Sequence, residues 1–154
     1  MFIKRMNKKG VTLIELVVVF VIIAIGAVLL VPNIGAWLPN YRLRGATRDI
    51  TSTMRIAQMK AVSNNREYRV AFIEGTGDSA SYILERDSGG VFISDGPAQT
   101  LPSGIRMTTN FTNDRVVFKT DSGTNMGGSI VLQNPRGSQK TITVVFSTGR
   151  VSVN

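Results

Sequence analysis

The sequence predicts an α+β chain: one long N-terminal helix, half of it of membrane length and half amphipathic, packed on an antiparallel β-sheet or sandwich. Three observations carry that expectation. Leu16 to Val31 is a run of 16 residues without a polar side chain. Leu43, Ala46, Ile50, Met54, Ala57 and Ala61 recur at spacings of 3, 4, 4, 3 and 4, the single apolar stripe of a helix. From Tyr68 onward, short β-prone runs alternate with turn-forming links, spaced too closely for the crossovers of a parallel sheet.

The helix divides into parts. Residues 1–10 form a basic leader, with Lys4, Arg5, Lys8 and Lys9 and no acid. That bias holds the leader in the cytoplasm. Residues 11–31 form the apolar part; as a helix they reach about 31 Å, enough for a bilayer core of about 30 Å. Residues 32–65 form an amphipathic continuation, with Arg42, Arg44, Arg48, Asp49, Arg55 and Lys60 mostly off the stripe. Pro32 and Pro39 bracket a place where kinks are expected. The helix should stop near Ser63-Asn64-Asn65, where short polar side chains compete for the backbone.

Residues 66–154 form the β domain. The strand candidates are Tyr68 to Ile73, Tyr82 to Arg86, Val91 to Ser94, Ile105 to Thr109, Val116 to Lys119, Ser129 to Gln133, Thr141 to Ser147 and Val151 to Val153. Gly75-Thr76-Gly77-Asp78, Ser88-Gly89-Gly90, Asp95-Gly96-Pro97 and Ser122-Gly123 read as turns between them, and Asn134-Pro135-Arg136-Gly137 and Thr148-Gly149-Arg150 as hairpin links.

The formal charge is +8, from 18 Lys+Arg against 10 Asp+Glu in 154 residues. Removing the leader takes away four cations and no acid, leaving +4, so much of the basic character is not evidence for nucleic acid. Residues 66–100 hold three Arg and six acids, whereas 32–65 and 101–154 are basic. Such asymmetry suits either a mixed solvated surface or head-to-tail packing of copies. There is no Cys and no His, which excludes thiol chemistry, disulfides and the commonest metal and general-base side chains. No nucleophile–base pair stands out, so no enzyme is read and no cofactor or metal is implied.

Lys8-Lys9-Gly10-Val11-Thr12-Leu13-Ile14-Glu15-Leu16 leads into the apolar run. A lone Glu there costs about 2.5 kcal/mol or more at bilayer depth and is a functional candidate. A plain single-pass anchor would also explain the run. A cleaved secretory signal fits less well, because its apolar core is shorter and ends in a small-residue site. The segment resembles the processing signal of type IV prepilins and type II secretion pseudopilins. Arg48 to Phe72, and the Val144-Val145-Phe146-Ser147-Thr148-Gly149-Arg150-Val151 ending, resemble the GspH/FimT group of minor pseudopilins and minor pilins. The implied fold is pilin-like. Two departures stand: Val11 where Phe is usual, and no C-terminal disulfide.

The resemblance implies cleavage by a prepilin peptidase between Gly10 and Val11, N-methylation of Val11, and a role for Glu15 in filament assembly, paired with a neighbour's Val11 amine. Glu15 could otherwise snorkel to the cytoplasmic interface. Gly149-Arg150 reads as a tight turn with a solvated Arg, or, with Arg136 and Lys140, as a DNA-contacting patch. Asp78, Asp95 and Asp121 sit in Gly-rich loops but bring no converging set of oxygens for calcium.

The function implied is a minor pseudopilin or minor pilin, a structural subunit of a type II secretion pseudopilus or type IV pilus. A DNA-binding minor pilin for DNA uptake and a non-polymerising membrane-anchored β domain are the alternatives. The implied partners are other pilin or pseudopilin subunits through the N-terminal helix, the prepilin peptidase, the inner membrane, and DNA or secreted cargo, with no small-molecule substrate. The implied location is the bacterial inner membrane, single-pass, leader in the cytoplasm and C-terminal domain in the periplasm, then the assembled fibre.

Overall fold

The computed structural model describes residues 11–154, with only the backbone at 28–34 and 36. One α-helix, α1, runs Leu13–Ser63 and continues through Pro32 and Pro39 as a single element. The chain forms two compact units, one ending at Trp37 and one from Leu38 to Asn154. In the second unit the predicted stripe is buried: Ile50, Met54, Ala57 and Ala61 have no exposed surface, and Leu43 and Ala46 nearly none.

α1 ends one residue before Asn64, and its stop has a specific geometry. Asn65 takes a left-handed φ of 49°. The Asn65 N–H donates to the Val62 carbonyl at 3.4 Å and the Arg66 N–H to Ala61 at 3.2 Å. These two bonds close the last turn as a Schellman motif, with Asn where Gly is usual. The stop is thus set less by side-chain competition than by a residue that tolerates the left-handed region.

Ten strands follow: β1 (Tyr68–Ile73), β2 (Gly75–Thr76), β3 (Ser81–Asp87), β4 (Phe92–Ser94), β5 (Gln99–Thr100), β6 (Arg106–Thr109), β7 (Arg115–Phe118), β8 (Gly128–Gln133), β9 (Gln139–Val144) and β10 (Val151–Val153). One sheet has the order β4-β3-β1-β7, with β5 also on β3; the other has the order β10-β9-β8-β6-β2. Every pairing is antiparallel. Buried residues alternate along the strands, as in Tyr68, Val70 and Phe72, or Ile142 and Val144, the period of two expected of a sheet with one covered face. Both sheets and the second half of α1 share one apolar core.

Three elements differ from the sequence expectation. The strand expected over Thr141 to Ser147 runs Gln139–Val144 and gives way to a turn over 146–148. Gly75-Thr76, read as a turn, pairs with β6 before a short 3₁₀ turn over Gly77–Ser79. Gln99–Thr100, not among the strand candidates, pairs with Ser81 and Tyr82. These last two strands are two residues long, too short to leave a periodic signal.

Candidate functional site

The N-terminal segment comes first. Gly10 and the leader lie outside the described residues. Val11 precedes α1 and is exposed. The Glu15 N–H donates to Thr12 Oγ1 at 3.3 Å, so Thr12 caps the helix and Glu15 occupies its third position. Thr12-Leu13-Ile14-Glu15 is a capping-box sequence, a local signal that attention to the Glu alone passes over. An acid in the first turn also complements the helix dipole. Past it, Leu16 to Ile23 and Ile25 are all exposed on every side of the helix. A helix apolar all round is stable only inside protein or lipid. Among the described residues no helix is long and apolar enough to cross a membrane; the expected span over 11–31 includes residues 28–31, whose side chains are outside that set.

The three basic residues proposed for DNA contact do not form one cluster. Arg136 sits in the β8–β9 link, where its N–H donates to Asn134 Oδ1 at 3.0 Å. Arg150 lies beyond the other end of β9, its carbonyl accepting from the Val145 N–H at 3.0 Å. Five residues of strand, about 17 Å, separate Lys140 from Val145. Lys140 joins α1 instead. It shares the core-facing side of β9 with Ile142 and Val144 and lines a groove of about 500 Å³ with Arg44, Arg48, Arg55, Thr51 and Val153. Arg44, Arg48 and Arg55 stand at spacings of four and seven on α1, one above another. That spacing was readable in the sequence, but nothing there says which strand closes the groove.

Gly149 has a structural reason. Its φ is +61°, and an added Cβ would overlap the Ser122 carbonyl oxygen and stand 2.7 Å from Gln58 Nε2. Gln58 Nε2 donates to the carbonyls of Ser122 at 2.9 Å and Thr148 at 3.0 Å, tying two loops to α1. Two of the loop aspartates have partners: Asp95 pairs with Lys60 of α1 at 2.7 Å, and Asp121 Oδ1 accepts the Gly123 N–H at 3.0 Å. Among the described residues no group of three or more carboxylates is placed to hold a metal ion. Tyr82 faces a second groove with Asp49 and Thr53. Burial pushes its phenol pKa above the usual 10.0, the Asp49 charge adds to the rise, and a hydrogen bond with Thr53 offsets part of it.

Comparison with known proteins places the chain. It matches the prokaryotic N-terminal methylation motif over residues 5–31 and type II transport protein GspH over residues 46–149. No curated protein sequence matches it. Among solved structures it is similar to the type IV minor pilin FimU of Pseudomonas aeruginosa (strain PAO1), with a TM-score of 0.61 at 10% identity over 75% of this chain and 90% of that one. It is also similar to the minor pseudopilin EpsH from the Type 2 Secretion System of Vibrio cholerae, with a TM-score of 0.60 at 6% identity over 73% of this chain and 96% of that one. At such identities the likeness is one of fold: a helix on antiparallel sheets. The methylation motif implies membrane anchoring, and the second match spans more than half of the 154 residues, so the chain belongs to the type II transport protein GspH family.

Proposed function

We propose that the chain is a minor pseudopilin or minor pilin, a structural subunit cut after Gly10 by a prepilin peptidase, methylated on Val11 and built into a fibre through residues 11–31. What carries this reading is one observation: a single chain joins the methylation motif at residues 5–31 to a GspH match at residues 46–149. The exposed, all-round apolar helix from Leu13 to Ile25 supports it, because such a surface needs lipid before assembly and neighbouring helices after it. Glu15 then pairs with the Val11 amine of a neighbouring subunit. The β domain lies in the periplasm and faces outward from the fibre. The subunit works by assembly and not by catalysis.

The test is the mass of the membrane-extracted protein from cells with an active prepilin peptidase. Loss of residues 1–10 and one added methyl group is the expected result. Retention of the leader there overturns the reading. Crosslinking to other pilin-like subunits, with cleavage followed in parallel, distinguishes a fibre subunit from an anchored domain that never polymerises.

A further inference from the structure

The groove between α1 and β10 combines two features that point to the same occupant. Its lining carries four cations, Arg44, Arg48, Arg55 and Lys140, and no acid. The ion pairs formed among the described residues, Lys60 with Asp95 and Arg69 with Glu85, involve none of the four. The cations do not converge on a point. From Arg44 to Arg55 is 11 residues of helix, about 16 Å, so they suit a linear anion better than a compact one.

The second feature is an open strand edge. β10 is the last strand of its sheet. The Arg150 carbonyl bonds to Val145, and Asn154 bonds to Thr141 through both its N–H and its carbonyl. Alternation along an antiparallel ladder therefore turns Ser152 toward β9 and leaves the N–H and C=O of Val151 and Val153 pointing away from it. Val153 is 40% exposed and lines the groove. An unpaired edge of this kind accepts another extended chain. Carboxylates on one face of such a chain recur every second residue, about 6.6 Å apart. Arg44 and Arg48, one helical turn apart, rise about 6 Å, and guanidinium forks hold carboxylates bidentately.

We propose that this groove binds an extended acidic segment of a partner protein, which adds a strand to β10 and sets its carboxylates against Arg44, Arg48, Arg55 and Lys140. The open edge is what favours a polypeptide over a nucleic acid, since a phosphodiester chain has no ladder of N–H and C=O to offer Val153. The groove lies within the unit from Leu38 to Asn154, so failure of this proposal leaves the proposed cleavage and assembly untouched.

The experiment uses the full chain in non-ionic detergent and a fluorescent peptide of alternating Glu and Val, with binding followed by anisotropy. The expected result is saturable binding that weakens as salt rises. Arg44→Glu combined with Arg48→Glu, both at exposed positions, should weaken it about tenfold or more. A peptide carrying Pro in place of alternate Val should also bind about tenfold less tightly, because Pro cannot donate to the ladder. Amide exchange at Val153 should slow when the Glu-Val peptide binds. The proposal is overturned if the peptide does not bind, if the double reversal leaves binding unchanged, if the Pro peptide binds as well, or if an oligothymidylate binds more tightly and loses that binding in the same variant.

Discussion

Gln58 on the helix and Gly149 in the final hairpin are fitted to each other: the Gln58 amide holds the carbonyl of Thr148, and any side chain at position 149 would meet that amide. Gln58 and Thr148, 90 positions apart, thereby fix where the last strand begins. The same amide holds Ser122, so three segments depend on one side chain.

Gly149→Ala should lower stability by about 2 kcal/mol or more, because Ala is strained at positive φ and its Cβ meets the Ser122 carbonyl as well as Gln58. Thermal unfolding of the detergent-solubilised protein should show a fall in Tm of roughly 5 °C or more. Combined with Gly149→Ala, Gln58→Ala should cost less than it does alone, since the Cβ already disturbs the bonds of Gln58, but it should not rescue the fold, because the overlap with the Ser122 carbonyl remains. Fully additive effects would mean that the two residues act independently.

Met54 is completely enclosed between α1 and the sheets. Met54→Asp places an unpaired carboxylate in that core and should cost about 4 kcal/mol or more. The β domain should then be lost to proteolysis, with the apolar N-terminal segment still inserted. An unchanged protease-resistant fragment would show that the stripe is not the seat of the core.

Tyr82 gives the fold a weakness at alkaline pH. Its phenol holds its proton to higher pH in the folded state than in the unfolded chain, because burial and the Asp49 charge disfavour the phenolate. Above pH 10 or so the unfolded chain releases a proton that the folded chain keeps, so stability falls as pH rises from there through the folded pKa. Tyr82→Phe should flatten that decline relative to wild type, and Asp49→Asn should flatten it less. Denaturant midpoints measured from pH 8 to 11 would check this; parallel curves for wild type and Tyr82→Phe would refute it.

Glu15 stands at a capping position as well as at the proposed assembly position, and the two roles separate by substitution. The capping bond uses the Glu15 backbone N–H, which Glu15→Ala keeps. Thr12→Ala removes it, at about 1 kcal/mol of helix stability. Glu15→Gln retains side-chain length and capping ability but loses the charge. If Glu15 pairs with a neighbour's amine, both Gln and Ala should impair incorporation with cleavage intact, since an uncompensated buried charge costs about 3–5 kcal/mol. Incorporation of Glu15→Gln at the wild-type level would leave Glu15 a capping residue only.

How much of this was legible before the structure depends on range. The stripe from Leu43 to Ala61 and the strands Tyr68–Ile73 and Val151–Val153 carry their periodicity in consecutive residues, and they appear where expected. The chain's passage between sheets does not. It leaves one sheet at Ile73 and enters the other at Gly75, a switch with no compositional mark. The same limit applies to the cationic groove. Arg44, Arg48 and Arg55 share a helix face by local spacing, but Lys140 and Val153 reach them only through sheet order. Arg136, Lys140 and Arg150, close in sequence, are strung along a hairpin from end to end.

The position of β1 has a consequence for the proposed export. β1 is central in its sheet, between β3 and β7, and its register with β7 matches Tyr68 to Phe118. The helix face it helps to cover is also covered by β8 and β9, which come later still. In the topology proposed above, with the leader held in the cytoplasm, the stripe of α1 enters the periplasm ahead of β1 to β10, bare until they follow, and β1 precedes the β7 it pairs with. Non-local pairing of this kind is slow to form. If the domain crosses the membrane as proposed, the order of its strands delays folding until nearly its whole length has crossed.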